Sequence, residues 1–531
     1  MTAVDAGLEA RASDLRELAS TVAGVLASRA TSTTTLACER AVLRMCGVSG
    51  LSGSGRPLAH EVVERYAAGD SSRLGGGIGL PFAVATLEYD LDAQQLALEV
   101  ADGHVDLAFE SGVLRDDERR MEAERRLAGW LAAAQERFDA NRTARHELIS
   151  VLGEPPHPWI ASELRAFDAR DAARDAGFLV AAGADLLRVR VPRDGELRRG
   201  LGEATDEDQW PVGPTAPPPA GSQRGLAMLR DELDQAAVRH GRYPRLATRR
   251  IGLAAPEQAV VAGFERVDAV FSDPMDAIFE LGIDPVRAFA DHAWAQSLVA
   301  RTGCDLVLGP GPFVAPELAR GVTPAPAVRA GRALALQALS LAFALRNGVP
   351  ADRISVGAVP SAAFAGSGAG PRVLAEVALR GLMFPGHGLV VDEQASDAAD
   401  EGLASSVVAW MSGDARLRAV FSSAPPPYFE AACRGLRAGV DVARWLTQGR
   451  SIGGLRGAAL DHAEATLAAA LAALREIATA GLDVLLAGDA AAHVGAQGVV
   501  PRRGAATGVD AQVAGAGPGP DAGGEAGAEP R

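Results

Sequence analysis

Lysine is missing from this chain, because all 52 basic residues among its 531 are arginines. A Schiff base with a carbonyl compound needs a primary amine, which lysine supplies in proteins. This chain therefore cannot supply a Schiff-base lysine, which would have to come from a second polypeptide.

Metal-binding and disulfide patterns are also missing. The four cysteines include no Cys-x-x-Cys pair, and the nine histidines include no His-x-His, His-x-x-x-His or His-Glu-x-x-His pair. Such spacings are typical of zinc sites, and paired cysteines in small secreted chains indicate disulfide frameworks. The sequence therefore predicts no metal centre and no disulfide. We expect Cys38, Cys46, Cys304 and Cys433 to be buried thiols.

Long apolar runs and a surplus of basic residues are absent as well. No run of about 18 apolar residues occurs without a charge, and the first residues contain no apolar signal region. The formal net charge is -15, whereas a nucleic-acid-binding protein usually carries a basic face. Hydrophobic residues make up 48% of the chain, enough for a large core. The composition therefore predicts a cytoplasmic globular protein.

The hydrophobic pattern divides the chain into four parts. Residues 1–150 carry amphipathic helical periodicity and are predicted to form an N-terminal helical region. Residues 151–400 alternate short apolar runs with helices, residues 401–500 return to helix, and residues 501–531 are rich in Gly, Ala and Pro. We expect a barrel in the second part, a helical extension in the third, and a disordered tail in the fourth.

The barrel prediction depends on strand–helix alternation over about 250 residues, which is the usual length of a TIM-type (β/α)8 barrel. A doubly wound parallel sheet is the alternative, but no Gly-x-Gly-x-x-Gly opens the first strand–helix turn. The α/β barrel is therefore the predicted fold. Its predicted strands lie within 177–191, 245–255, 265–273, 302–311, 352–360 and 388–392.

Three loops could serve a ligand. Residues 74–82 (LGGGIGLPF) form a glycine-rich segment that is either a plain loop or a phosphate-binding loop. The Gly-Lys-Ser/Thr of a typical phosphate-binding loop does not follow it. Residues 306–312 place a Gly-Pro-Gly turn after an apolar strand, either as a ligand contact or as a simple strand exit. Residues 206–222 are Pro-rich and follow a strand, where barrel enzymes place lids and substrate loops.

Four side chains are candidates for chemistry at strand ends. Asp268 and Asp273 bracket one predicted strand, and an acid at the carboxyl end of a barrel strand is a typical site residue. His292 and His387 lie nearest to strand ends among the histidines, and each is interpreted as a surface or packing residue or as a cofactor contact.

Several segments, in their order along the chain, resemble the alpha subunit of lysine 5,6-aminomutase. The resemblance covers roughly 30–500, and this chain would be a divergent member. The segments that carry it are TSTTTLACERAVLRMCGVSG (31–50), DANRTARHE (139–147), AGADLLRVRV with GEAT (182–205), SQRGLAMLRDELDQ (222–235), GLAAPEQAVVAGFERVDAVFSD (252–273), DPVRAFADHAWAQSLVARTG (284–303) and GVPADRISVG (348–357).

The resemblance implies a division of labour between two subunits. Enzymes of this family move an amino group to a neighbouring carbon with adenosylcobalamin and pyridoxal 5'-phosphate. The large subunit forms the barrel, and a small, beta, subunit carries cobalamin and supplies the Schiff-base lysine. The absence of lysine here, and of the Asp-x-His-x-x-Gly cobalamin signature, agrees with this arrangement. A hetero-oligomer acting on a small amino-acid substrate is therefore implied.

The resemblance also assigns cofactor contacts to particular positions, and this chain keeps the family's residue at some of them. The strand-end arginine is kept as Arg190, while the serine near it falls on Gly195. The stacking tyrosine falls on Asp276, and only Gly309 remains from a polar substrate segment. Losing an aromatic ring and several hydrogen bonds weakens cofactor binding by several kcal/mol, on the order of the sum of these contacts.

Two further family positions have become apolar, and one acidic position is kept. A second pyridoxal-side serine falls on Ile251, and an arginine falls on Leu281, while Pro256 and Glu257 are kept. Three readings therefore stay open. The chain is an aminomutase large subunit acting on lysine, beta-lysine, ornithine or a related amine, a paralogue that has lost pyridoxal chemistry, or an unrelated barrel enzyme.

Overall fold

A computed structural model describes most of the chain. The described residues are 3–107, 117–166, 168–190, 218–249, 251, 253–279, 281–309, 325–357, 369–391, 417–422, 424, 426–447, 457–482 and 499–502. Gly195, most of the Pro-rich loop, and the expected disordered tail from residue 503 onward lie outside these residues.

The described residues form a closed barrel of eight parallel strands in sequential order. The strands are short runs of mostly apolar residues, buried on both faces as parallel barrel strands require. After a short β1 (Thr33–Thr35), the barrel strands are β2 (Trp159–Leu164), β3 (Leu186–Val189), β4 (Arg245–Thr248), β5 (Ala269–Phe271), β6 (Asp305–Leu308), β7 (Ile354–Gly357), β8 (Gly388–Val391) and β9 (Leu417–Ser422).

Helices surround the barrel and cover its amino-terminal side. The helices are α1 (Ala3–Thr31), α2 (Leu36–Met45), α3 (Leu58–Ala67), α4 (Gly79–Glu88), α5 (Ala93–Asp102), α6 (Asp117–Leu152), α7 (Ala169–Ala181), α8 (Gln223–His240), α9 (Ala255–Phe264), α10 (Pro274–Phe279), α11 (Pro285–Thr302), α12 (Pro326–Arg346), α13 (Ala369–Met383), α14 (Pro426–Thr447) and α15 (Ala458–Ala480). The short strand β10 (Val499–Pro501) returns to pair with β1 in antiparallel register.

The barrel interior is filled by side chains from alternate strand positions, as the period of two requires. Arg188 is buried there, with its guanidinium carbon 4.8 Å from the ring centre of Phe271 and 4.0 Å from that of Phe421. It pairs with Glu163 of β2. The interior is therefore a packed core rather than an open channel. Its apolar members are Trp159, Ala161, Leu186, Ala247, Ala269, Val307, Val390, Ala419 and Phe421.

Among the residues that the structure describes, one helix is long and apolar enough to span a membrane by length and composition. This is α12, and 72% of its apolar stretch is buried inside the protein. It packs between α1 and α15 as part of the main core. Its apolarity is thus explained by burial within the fold.

The TIM-type barrel is confirmed, and the six strands expected from the sequence are present. Two strands, β2 and β9, were not predicted, because a charged residue interrupts the apolar run of each, Glu163 in β2 and Arg418 in β9. The last barrel strand lies beyond residue 400, inside the part for which the sequence predicted only helix. The barrel therefore extends further along the chain than the predicted boundary.

Two local features of the N-terminal part follow from side chains that bind backbone N–H groups. Thr35 caps α2 by accepting a hydrogen bond from the Cys38 backbone N–H. In the glycine-rich segment, the Ile78 N–H donates to the buried carboxylate of Glu39 at 2.7 Å. A carboxylate of the chain itself occupies this turn, so the structure favours the plain-loop reading over the phosphate cradle. All four cysteines are buried and unpaired, as expected.

Candidate active site

Two arginines stand side by side where β3 and β4 end. The Arg190 N–H donates to the Leu164 carbonyl at 3.1 Å, and the Arg249 N–H donates to the Val189 carbonyl at 2.9 Å. These bonds continue the barrel ladder, so both residues lie at the carboxyl end of the barrel, where active sites of this fold occur. Arg190 lies 3.7 Å from the Glu163 carboxylate. The carboxyl end of the barrel, called the barrel mouth below, therefore carries two guanidinium groups on neighbouring strands.

Asp273 follows β5 and is held by three donors. The Ser340 hydroxyl (2.6 Å) and the Met275 N–H (2.8 Å) donate to one carboxyl oxygen, and the Gly309 N–H (3.0 Å) donates to the other. Asp273 thereby ties the ends of β5 and β6 to α12. Burial, followed by the negative charge of Asp276, raises the pKa of Asp273 to about 7.

Asp276 lies one turn further on, in α10. Its Oδ2 is 3.6 Å from Arg249, while its Oδ1 is buried and has no hydrogen-bond partner among the described residues. Gly309 packs directly against this carboxyl group, and a Cβ at position 309 would collide with it. Only glycine therefore fits at position 309 while Asp276 keeps this conformation.

A cavity of about 60 Å³ opens beside these carboxyl groups. It is lined by Arg249, Phe271, Asp273, Asp276 and His292, together with apolar residues of α9, α10 and α11. The His292 ring is only 5% exposed, and its Nδ1 bonds to the Ala288 carbonyl at 2.7 Å. Burial lowers the pKa of His292 to about 4, so the ring is neutral at pH 7.

The structure brings together four of the five predicted cofactor contacts. Arg190, Asp273, Asp276 and Gly309 all lie at the barrel mouth, while Gly195 lies outside the described residues. His292 is buried, as the packing reading predicted, and it also lines the cavity.

Two other candidates lie at the opposite end of the barrel. Asp268 precedes β5, and His387 precedes β8, so both stand at the amino-terminal ends of their strands. Asp268 there binds Arg145 and Arg230, a structural role. Of the two aspartates that bracket β5, only Asp273 therefore lies at the barrel mouth, where it can serve the site.

Sequence reasoning missed Arg249 and Ser340. Arg249 lies within the range 245–255 in which a strand was predicted and directly follows β4, so its position was a usable signal, whereas Ser340 reaches Asp273 from the middle of a helix. Within the described ranges, no group of three or more His, Cys, Asp or Glu side chains could hold a metal ion.

Comparison with known proteins decides the family. The family model for the D-lysine 5,6-aminomutase TIM-barrel domain of the alpha subunit matches residues 8–360. This chain belongs to that family. The resemblance inferred from the sequence segments is thereby confirmed, and the TIM-barrel domain named by the family agrees with the barrel observed here.

Individual members of this aminomutase family are distant in sequence. The lysine 5,6-aminomutase alpha subunit of Fusobacterium nucleatum subsp. nucleatum is 25% identical over 328 residues, covering 61% of this chain and 59% of the relative. That of Acetoanaerobium sticklandii is 24% identical over 328 residues, with the same coverage of 61% and 59%. The matched part thus spans about 59% of the length of these relatives.

Solved structures align with part of the chain. A dihydropteroate synthase from Anaplasma phagocytophilum aligns with 55% of this chain and 100% of its own, at 14% identity and a TM-score of 0.35.

The raised pKa of Asp273 predicts a pH dependence of stability. The carboxyl group binds its proton more tightly in the folded state, because its pKa rises from 3.8 to about 7. Its contribution to stability is therefore fully present below about pH 3.8 and is lost as the pH rises towards 7. We expect the unfolding free energy of the wild type, relative to Asp273→Asn, to fall over this range and to level off above it. Urea unfolding at a series of pH values measures this difference.

The control is Asp231→Asn, at an exposed position of α8, measured in the same urea series. A wild-type minus Asp273→Asn difference that does not change with pH would contradict the raised pKa.

Proposed function

We propose that this chain is the large subunit of an aminomutase that depends on adenosylcobalamin and pyridoxal 5'-phosphate and acts in the cytoplasm. The substrate class is lysine, beta-lysine, ornithine or a related amine. The observation that carries the proposal is the barrel mouth, where Arg190 and Arg249 stand beside Asp273 and Asp276 in a chain of this family. The cations suit an anionic cofactor group, and the carboxyl groups suit an amine.

The residues at the mouth fit the phosphate end of pyridoxal phosphate. Guanidinium groups bind phosphate oxygens through parallel N–H donors, and Arg190 and Arg249 present two such groups on adjacent strands. When bound, the two cofactors supply the radical that starts the reaction and the carbonyl carbon that carries the migrating nitrogen.

Residues of this chain would bind and orient the cofactor and shield it from water. Arg190 and Arg249 would hold the phosphate, and Asp273 fixes the ends of β5 and β6 around the site. Arg188, packed between Phe271 and Phe421, closes the barrel below the mouth, so water does not enter from the amino-terminal side.

A partner subunit is part of the proposal. This chain contains no lysine and no cobalamin signature, so a small, beta, subunit would bring both the Schiff-base lysine and the cobalamin. The functional unit would then be a hetero-oligomer.

One observation favours a second possibility. In it, this chain is a paralogue that keeps the barrel and the partner surface but lacks pyridoxal chemistry. Ile251 and Leu281 are buried apolar residues, 1% and 7% exposed, at positions where the resemblance places a serine and an arginine. The cofactor would lose two polar contacts there.

Cofactor uptake by the co-purified complex distinguishes the two functions. We expect the wild-type complex to bind pyridoxal phosphate with an aldimine absorbance band, and Arg190→Ala to weaken that binding by about 10-fold or more, since a charge-assisted contact is lost. Spectroscopic titration with pyridoxal phosphate measures both affinities. The control is Arg174→Ala in α7, whose side chain is 74% exposed and remote from the mouth.

The two possible negative results of this titration lead to different conclusions. A pure complex that takes up no pyridoxal phosphate would refute the aminomutase and leave the paralogue. An Arg190→Ala complex with wild-type affinity would refute the role of Arg190 alone.

A further inference from the structure

A second cavity lies between helices at the amino-terminal end of the barrel. Its volume is about 410 Å³, and it is bounded by α1, by α12, and by the end of α13 with the turn that leads into β8. His387 of this turn precedes β8, so the cavity and the barrel mouth lie at opposite ends of the barrel. Pockets for small molecules usually measure roughly 300–1,000 Å³, so the cavity is large enough to hold one.

Most of the lining of this cavity is apolar. Met383 and Phe384 are buried in the main core and form its floor. Leu341 and Ala342 of α12 form one wall, and Leu345 of the same helix remains 41% exposed at the edge. Such a lining favours a ligand with an apolar body, because that body is removed from water on binding.

The charged side chains that line the cavity are two arginines. Arg16 of α1 donates to the Leu382 carbonyl at 2.5 Å and pairs with Glu9 at 2.8 Å, so its charge is offset. Arg346 of α12 donates to the Ser20 hydroxyl at 3.3 Å and has no carboxylate partner among the described residues. No Asp or Glu of the described part of the chain lines the cavity. Arg346 is thus a cation whose charge is not offset there.

His387 adds ring surface to the lining but little charge. Its side chain is 9% exposed, and burial lowers the pKa of His387 below the ordinary value of 6.5. The ring is therefore mainly neutral at pH 7. The charge of the lining is positive on balance, although the whole chain has a formal net charge of -15.

One uncompensated guanidinium beside an apolar wall selects a ligand with a single negative charge and a hydrocarbon body. A carboxylate accepts two parallel N–H donors from a guanidinium group. A phosphate monoester carries about two negative charges at pH 7, more than Arg346 alone balances. The Ser20 hydroxyl accepts the bond from Arg346 and keeps its own hydrogen, which it can donate to a carboxylate oxygen.

We propose that this cavity is a binding site for an amphipathic monocarboxylate. The carboxylate binds Arg346 and Ser20, and the hydrocarbon chain packs on Leu341 and Met383. A water molecule occupies about 30 Å³ of the liquid, so 410 Å³ has room for roughly 14 groups of that size, enough for octanoate. The site does not rest on the proposed function, because its residues lie away from the barrel mouth.

Calorimetric titration of the full chain with octanoate tests the site, with octan-1-ol as the neutral probe of equal length. We expect octanoate to bind at least about 10-fold more tightly than octanol, because charge-assisted hydrogen bonds are gained. Arg346→Ala should weaken octanoate binding by roughly 10-fold and leave octanol binding unchanged. Ala342→Phe, which fills the cavity, should abolish the binding of both probes.

The matched control is Arg11→Ala, which removes an equal charge from an exposed position of α1 and should keep the wild-type affinity for octanoate. The site is refuted if the wild type does not bind octanoate, or if it binds octanoate and octanol equally. Unaltered octanoate affinity in Arg346→Ala would also refute it, and this exposed variant decides even where Ala342→Phe fails to fold. A wild-type dimer that Ala342→Phe dissociates would show that a second copy of the chain, and no carboxylate, covers the cavity. Sedimentation of both proteins measures this.

Discussion

Asp268→Asn should lower the free energy of unfolding by about 3–5 kcal/mol, the cost of removing one partner from a buried ion pair. The Asp268 side chain is completely buried at the amino-terminal end of β5. Its carboxylate lies 2.9 Å from Arg145 of α6 and 3.3 Å from Arg230 of α8. The Tyr243 hydroxyl and the Leu246 N–H also donate to it, at 2.9 and 2.8 Å.

The asparagine preserves volume but reverses part of the hydrogen-bonding pattern. It would leave the buried Arg145 guanidinium without its carboxylate partner, leave Arg230 paired only with Asp234, and direct an N–H group at other donors. Because Arg145 and Arg230 come from two different helices, α6 and α8, the loss affects the packing of both helices on the barrel. Chemical denaturation monitored by circular dichroism measures the change in unfolding free energy.

The matched control is Asp231→Asn, an exposed position in the same helix as Arg230. We expect this control to stay within about 0.5 kcal/mol of the wild type. An Asp268→Asn protein that is as stable as the control would show that the two arginines find other partners.

The sequence predicts those features of the fold and of the site that depend on residues close together in the chain. Hydrophobic periodicity located six strands and most of the helices, because apolar runs and helix starts depend on neighbouring residues. Arg190, Asp273 and Gly309 could be placed at one end of the barrel, since each follows a strand and parallel strands end on the same face.

Contacts between distant segments were beyond this reasoning. His292 lies inside α11, and nothing in its local sequence shows that its ring lines a cavity with Asp276. Ser340 reaches Asp273 across 67 residues of sequence. Such pairs follow from how helices pack around the barrel, which a single sequence does not specify by spacing alone.

A second large effect is expected at Glu257, which joins the barrel to the N-terminal helices. Its carboxylate is fully buried in α9, 2.9 Å from Arg44 Nε of α2 and 2.9 Å from His60 Nε2 of α3. Burial alone would raise the pKa of Glu257, but His60, Arg44 and Arg40 together hold that pKa well below its ordinary value. Glu257 is therefore ionised in the folded protein at pH 7.

Glu257→Gln should lower the unfolding free energy by about 3–5 kcal/mol at pH 7, because it removes the negative charge that balances the buried Arg44. A group with a depressed pKa stabilises the fold above its ordinary pKa of 4.5, and this contribution is lost as the pH falls below that value. The difference between wild type and variant should therefore shrink below about pH 4.5. Chemical denaturation at pH 7 and at a series of lower pH values measures it.

The position of Glu257 links this loss of stability to the candidate site. Ala255 and Gln258 of the same helix line the cavity beside Asp276, so α2 and α3 hold one wall of that cavity through Glu257. Glu257→Gln should therefore be less stable than the wild type at pH 7, whereas Glu136→Gln, at an exposed position of α6, should leave the stability unchanged. A Glu257→Gln protein as stable as Glu136→Gln would show that the N-terminal helices keep their place without this carboxylate.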